Sequence, residues 1–257
     1  MNPFFQDYTT AYGTIPFGKL KNEHYVPAIH QGITDAKAEI DAIVHTNDTP
    51  TFENVIVALE NSGELLTKVT SAFFNLNSAE TSDEMQEIAQ EISPLLSAHG
   101  NDIAMNAGLF AKVKEVFDQG FDGLTPEQKT LLENAYKGFT RNGANLNDTD
   151  KEKLREIDAR KAKLSLIFGE RVLKESNAFE MLITDENDLD GLPEGIREAA
   201  QGMATAKEKG GWLFTLDYPS YIPFVTYSTR RELREKMYKA FSSKAFQSNE
   251  NNNEEII

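Results

Sequence analysis

The chain has 257 residues, no cysteine, and 41 acidic against 26 basic side chains, a net charge of -15 at neutral pH. That charge repels nucleic-acid phosphates and anionic lipid surfaces, and the absence of thiols excludes a disulfide framework and thiolate metal centres. Hydrophobic residues make up 40% of the chain, enough for a sizeable core, and no run is long and apolar enough to span a membrane. The opening residues, Met1-Asn2-Pro3-Phe4-Phe5-Gln6-Asp7, lack the basic-then-apolar order of a secretory leader. Cytoplasmic residence is the first expectation, with the periplasm as the alternative if a leader has been removed.

Residues 1–22 carry Pro3, Gly13, Pro16 and Gly18 among aromatics, which predicts an extended arm over a core. Pro27 then suits a first helical turn, and Ile29, Ile33, Ala36, Ile40 and Val44 follow at spacings of three and four. Thr46 to Pro50 breaks that helix. Thr51, Glu53 and Asn54 open a second, long one with a stripe of Phe52, Ile56, Leu59, Leu66, Phe73 and Leu76, inside which Gly63 allows a close neighbour or a small bend. A third helix carries Met85, Ile88, Ile92 and Leu96, and Pro94 is expected to kink it. The next element, Ile103 to Phe117, stops at Gly120 and Gly123. Thr125-Pro126-Glu127-Gln128 joins a cap, a proline at the first position and a capping-box partner, so a helix starts there.

The longest predicted helix runs from about Asp148 to Glu175, with Leu154, Ile157, Leu164, Phe168 and Val172 on one side and basic residues on the other. Phe179 to Thr184 alternates apolar and polar and pairs with Leu213 to Asp217, with a helix from about Pro193 to Lys207 between them. The strand holding Trp212, the only tryptophan, ends at an Asp217-Tyr218-Pro219 turn. An aromatic knot follows, in which Pro219 and Pro223 bracket Tyr221, Phe224 and Tyr227. Thr229 and Glu232 form a capping-box pattern for a basic helix with Arg230, Arg231, Arg234, Lys236 and Lys239, and a buried stripe of Leu233, Met237, Tyr238 and Phe241. Asn249 to Asn253 reads as polar and loose, and Glu254-Glu255-Ile256-Ile257 as the start of another helix. The fold class is mainly all-α: a multi-helix antiparallel, bundle-like lobe with a small two-stranded β element, residues 23–257 following the arm and a subdivision near 145. No fixed-period repeat stands out, although a helical solenoid stays open.

The chemistry-bearing residues are sparse. His24, His30, His45 and His99 are the only histidines, none precedes a glutamate, and no two lie four apart, so a His-Glu-x-x-His zinc helix is impossible; a zinc site assembled from distant histidines and carboxylates stays open against satisfied or surface histidines. Glu186-Asn187-Asp188-Leu189-Asp190-Gly191 superficially resembles a calcium loop, but it begins with Glu, contains Pro193, and has Arg197 where the bidentate Glu belongs. Those acids better suit the N-terminus of the following helix. Gly210-Gly211 lacks the spacing of a nucleotide loop and reads as a flexible connection. No elbow or Ser-x-x-Lys motif frames a nucleophile. Tyr218, Tyr221, Phe224 and Tyr227 read as core at this density, and the basic face of Arg230, Arg231, Arg234 and Lys236 reads as solvated surface, although guanidinium forks also match a carboxylate.

DYPSYIPF followed by STRRELREKMYKAF (Asp217 to Phe241) resembles one region of the zinc metallopeptidase family that contains thimet oligopeptidase, oligopeptidase A and bacterial peptidyl-dipeptidase. FGKLKNEHYVPAI, TFENVIVALENSGELL, DKEKLREIDARKAKLSLIFGERVL and LDGLPEGIREAA agree with that family in the same order, and the wording looks most like the peptidyl-dipeptidase branch. The resemblance covers nearly all of this chain but only about the first third of such an enzyme, without its catalytic signature. It implies the N-terminal helical lobe of a longer enzyme that removes dipeptides from the C-terminus of short peptides. The missing part would supply zinc and the general base, leaving this lobe without catalytic or metal-binding residues and with no cofactor of its own. The resemblance implies that the lobe forms one wall of a peptide cleft, with Tyr218, Tyr221, Phe224, Tyr227, Arg230 and Arg231 as the substrate-cleft candidates and with the catalytic lobe and short peptides as partners. A free-standing helical module that binds peptides or a protein is the alternative.

Overall fold

The computed structural model describes residues 1–257, mostly helical with one two-stranded sheet. It divides into two compact units, Met1–Lys163 and Leu164–Ile257, and the division falls inside the longest helix, beyond the sequence-based subdivision near residue 145.

In the first unit the arm is wound in three short 3-10 turns, Pro3–Phe5, Ala11–Gly13 and Phe17–Lys19. It is pinned by the Phe4 ring, buried 5.6 Å from that of Tyr25, and by Asn2, whose Nδ2 donates to the His24 carbonyl. Helix α1 (Tyr25–His45) follows another 3-10 turn. At Thr51 the anticipated cap forms: the Thr51 N–H donates to Asn54 Oδ1 (2.7 Å) and the Asn54 N–H to Thr51 Oγ1 (3.2 Å). The helix it opens is a wide π turn, Phe52–Val57, running into α2 (Ala58–Glu60).

The single long helix expected from Thr51 to Leu76 is two. Gly63 takes φ 70°, a left-handed conformation that a right-handed helix cannot continue through, and its N–H donates to Glu39 Oε2 at 2.7 Å. Helix α3 (Glu64–Ala79) then starts afresh. Helix α4 (Asp83–Ala104), capped by Ser82, runs through Pro94 and takes up Ile103, which the pattern had assigned to the next element. Asn106, whose Oδ1 accepts the Leu109 N–H at 2.9 Å, caps α5 (Ala107–Asp118). Helix α6 (Pro126–Arg141) begins with the expected reciprocal Thr125–Gln128 bonds.

Two patches hold this unit together. Tyr25, Ile29, Phe73 and Ile92 are fully buried where α1 meets α3 and α4. Ile40, Ile43, Val55, Ile56, Leu109, Val113, Leu132 and Phe139 join α1, the π turn, α5 and α6. Each fully buried large side chain contributes about 1.5–3 kcal/mol. At the margin, the Asp102 carboxylate accepts from Lys37 and Arg155, both at 2.9 Å. Burial alone would raise the Asp102 carboxyl, but these two hydrogen-bonded cations outweigh it and hold the group below its ordinary value. His99 is buried with no partner for Nδ1; burial and the neighbouring Lys37 charge push its imidazole pKa down.

Helix α7 (Asp148–Ala178) is the longest, as expected, yet has no buried residue: Ile157 is 60% and Phe168 40% exposed. In the second unit, strands β1 (Met181–Ile183) and β2 (Trp212–Phe214) pair antiparallel with Leu182 opposite Leu213. Helix α8 (Glu194–Ala206) packs on β2. The Asp-Tyr-Pro turn and aromatic knot are instead helix α9 (Tyr218–Tyr227). Pro219 lies in its first turn, where no backbone donor is needed, and the Asp217 carbonyl accepts the Tyr221 N–H at 2.7 Å. Helix α10 (Arg231–Ser242) lacks the expected Thr229 cap. The core of this unit collects Met181, Leu189, Phe214, Leu216, Phe224 and Met237.

The asparagine-rich end is not loose. Asn249 and Asn251 both donate to Glu175 Oε1, Arg171 donates to the Asn252 carbonyl, and Asn253 is 1% exposed with its N–H on the Ala245 carbonyl. Residues 254–256 form a turn rather than a helix, with the Asn253 carbonyl accepting the Ile256 N–H. No helix of the chain is long and apolar enough to cross a membrane.

Candidate functional site

The sequence candidates cluster on α9, α10 and the loop between them, and a second loop fixes that region. Gly191 has φ 85°, and a Cβ there would lie 2.3 Å from the Tyr227 carbonyl oxygen, so the acidic loop presses on the end of α9 at a point only glycine fits. The Asp190 carbonyl accepts the Thr229 N–H at 3.0 Å, and the Asp190 carboxylate accepts the Thr229 hydroxyl at 2.6 Å. Thr229 is thereby drawn away from capping α10. Asp188 pairs with Arg230 at 2.8 Å, and Asp185 Oδ1 accepts the Asn187 N–H at 3.0 Å. Asp188 and Asp190 of the calcium-like run are therefore spent on internal bonds rather than on the helix they precede.

The six candidates separate by burial. Phe224 is fully buried, edge-to-face with Phe214 at 4.7 Å, and is core rather than lining. Tyr221 is 7% exposed and stacks flat on Phe241 with ring centroids 4.0 Å apart; burial pushes its phenol pKa up. Tyr218 meets the same Phe241 ring edge-on at 5.7 Å but is 67% exposed, and Tyr227 is exposed at the end of α9. Lys244 places its ammonium 4.0 Å above Phe241, so one ring anchors two tyrosines and a cation. Arg230 is held by Asp188, whereas Arg231 is exposed and acts on Glu235 only through its charge, without a direct ion pair.

Arg231, Arg234, Glu235 and Tyr238 follow one another at i, i+3, i+4 and i+7 and so share a face of α10. With Val225 of α9 they line a shallow hollow of about 360 Å³. Tyr238, read from the sequence as part of the buried stripe, is 61% exposed here, while Met237 beside it is fully buried. One guanidinium nitrogen of Arg234 donates to the Ser228 carbonyl at 2.5 Å, and Glu235 is paired with Lys239 at 2.6 Å. The hydrogen bond and charge of Lys239 hold the Glu235 carboxyl below its ordinary value. The sequence singled out Arg231 but missed Val225 and Tyr238, because the hollow exists only where two helices meet.

The residues present do not fit a catalytic zinc ion, since no three His, Asp or Glu side chains converge. His24 Nδ1 accepts the Lys21 N–H at 3.0 Å, His45 Nδ1 bonds the Asp41 carbonyl at 2.8 Å, and His99 faces the cation of Lys37.

No family model matches the chain. It is 36% identical over 261 residues to dipeptidyl carboxypeptidase of Escherichia coli, an alignment covering all of this chain and 38% of that protein. It is 33% identical over 237 residues to oligopeptidase A of Salmonella typhimurium, covering 92% of this chain and 35% of the relative. A thimet-like oligopeptidase of Dictyostelium discoideum is 24% identical over 204 residues, or 77% of the chain. The chain thus spans little more than a third of the length of the bacterial relatives it matches. These matches place it with oligopeptidase A and dipeptidyl carboxypeptidase, as a member of the thimet oligopeptidase family.

Proposed function

We propose that this chain is the helical, non-catalytic lobe of a zinc-dependent peptidase that releases dipeptides from the C-terminus of oligopeptides. The observation that carries this reading is the match along the whole chain to a dipeptidyl carboxypeptidase, in a molecule whose own residues assemble no metal site. The α9–α10 surface then forms part of one wall of the substrate cleft. Tyr218 and Tyr227 present exposed rings to an extended peptide, Arg231 presents an exposed guanidinium, and Tyr221 and Phe224 support them from beneath. This contribution is orientation and exclusion; the metal and the general base come from elsewhere in the whole enzyme.

The reading is tested by incubating the chain with zinc and an unblocked oligopeptide and following products by mass spectrometry. No dipeptide release is expected. Release that stops on adding a chelator would overturn the assignment by showing a metal site within these residues.

A further inference from the structure

We propose that a small apolar pocket between α8, β2 and α9 receives one branched aliphatic side chain, the size of valine or leucine, from an extended peptide. Its floor is Leu213 and Phe214 of β2, each 1% exposed. Ala199 and Met203, one turn apart on α8, form one side. Pro219 and Ser220, in the first turn of α9, form the other. Because Ala199 ends at its Cβ, the floor stays open to the surface, and the space measures about 90 Å³.

The lining selects the chemistry of the occupant. No charged side chain borders the pocket, and the Ser220 hydroxyl already accepts the Thr215 N–H at 3.0 Å. An ionised group would lose its water there without gaining a partner. The volume selects the size. A dry cavity of about 150 Å³ accepts a benzene ring, so about 90 Å³ holds a branched aliphatic group and excludes phenylalanine. An opening this narrow admits one side chain rather than the face of a helix. Its position selects the bearer. Tyr218, 67% exposed, precedes Pro219, and Ile222, 45% exposed, follows within one turn, so the pocket adjoins the exposed aromatic surface of α9. The proposal rests on reading that surface as peptide-facing, and it adds a preference for peptides that carry leucine or valine.

The test is an NMR titration of the intact chain, following the backbone amides of Ala199 and Met203. The probes are acetyl-Gly-Leu-Gly-amide and the same peptide with Ala, Phe or Asp at its centre. Both ends are blocked, so neither terminus contributes. The leucine peptide is expected to bind at millimolar concentration, the alanine peptide about tenfold more weakly, and the phenylalanine and aspartate peptides not measurably. Ala199→Leu should fill the pocket and erase the preference for leucine over alanine. Met203→Ala should enlarge it and admit the phenylalanine peptide. Both residues lie on the exposed rim, so the variants should keep the wild-type far-UV circular dichroism. Equal binding of the leucine and alanine peptides, no leucine-peptide binding at millimolar concentration, or unchanged binding in Ala199→Leu would each overturn the proposal. So would a dimer in sedimentation that Ala199→Leu dissolves, because the pocket would then hold a second copy. Those failures would leave untouched the peptidase assignment, which is decided by product release rather than by titration.

Discussion

Helices α7 and α10 are alike in sequence and opposite in structure. Each sets an apolar stripe against a heavily charged face. Yet α10 buries Met237 completely, whereas α7, at 31 residues, buries nothing. Periodicity reports which face of a helix is apolar, and burial requires a neighbour to cover it. Around α10 that neighbour is α9, with Phe224 and Tyr221 packed beneath. Exposed charge is spent in the same two ways on both. On α7, Lys153 pairs with Asp150 within one turn and Arg155 reaches Asp102 of α4. On α10, Lys239 pairs with Glu235 within one turn, and Arg230 at its start reaches Asp188 in another loop.

The contrast can be broken at four points. Gly191→Ala puts a Cβ against the Tyr227 carbonyl at a positive φ, and should cost about 3 to 4 kcal/mol in urea unfolding by combining backbone strain with overpacking. Met237→Ala empties the centre of the α10 contact and should cost about 2 to 3 kcal/mol in the same assay. The next effect appears as a pH dependence. Burial and Lys37 hold the folded His99 pKa below its ordinary 6.5, although Asp102 pulls the other way. Above 6.5 both folded and unfolded forms are neutral and the stability is intact; as pH falls toward the lowered folded value, only the unfolded state takes up the proton and stability drains away. Unfolding midpoints at about pH 7.5 and about pH 5.5 should therefore separate in the wild type and draw together in His99→Gln. Smallest of all, Ile157→Ala on the uncovered face of α7 should change stability by less than about 0.5 kcal/mol. A loss like that of Met237→Ala would show that this face is covered in solution.

The same pair of regions shows what the sequence could carry. Local signals were legible: the boxes at Thr51 and Thr125 form as written because both partners lie three residues apart. Thr229 and Glu232 have the same spacing, but the box fails there because Asp190, far away in the chain, takes the threonine. Gly63 was readable as a weak point. That it ends a helix depends on a left-handed turn held by Glu39. The prolines flanking Tyr221 pointed to a knot, yet Pro219 fits a first helical turn, and burial of Tyr221 and Phe224 offsets the donor lost at Pro223. Among the site residues, Tyr218 and Arg231 are exposed and available, while Phe224 belongs to the core. Whether an aromatic lines a cleft or fills a core depends on contacts between helices that no local pattern encodes.

The central claim is that this chain holds substrate for a catalytic site it does not contain. The most direct measurement replaces the matching part of Escherichia coli dipeptidyl carboxypeptidase with this chain and follows dipeptide release from an unblocked oligopeptide. A folded chimera should release C-terminal dipeptides, and Tyr218→Ala or Arg231→Ala within it should raise KM with kcat nearly unchanged, the signature of lost substrate binding. A folded, zinc-loaded chimera that releases nothing, or that is indifferent to both substitutions, would contradict the account.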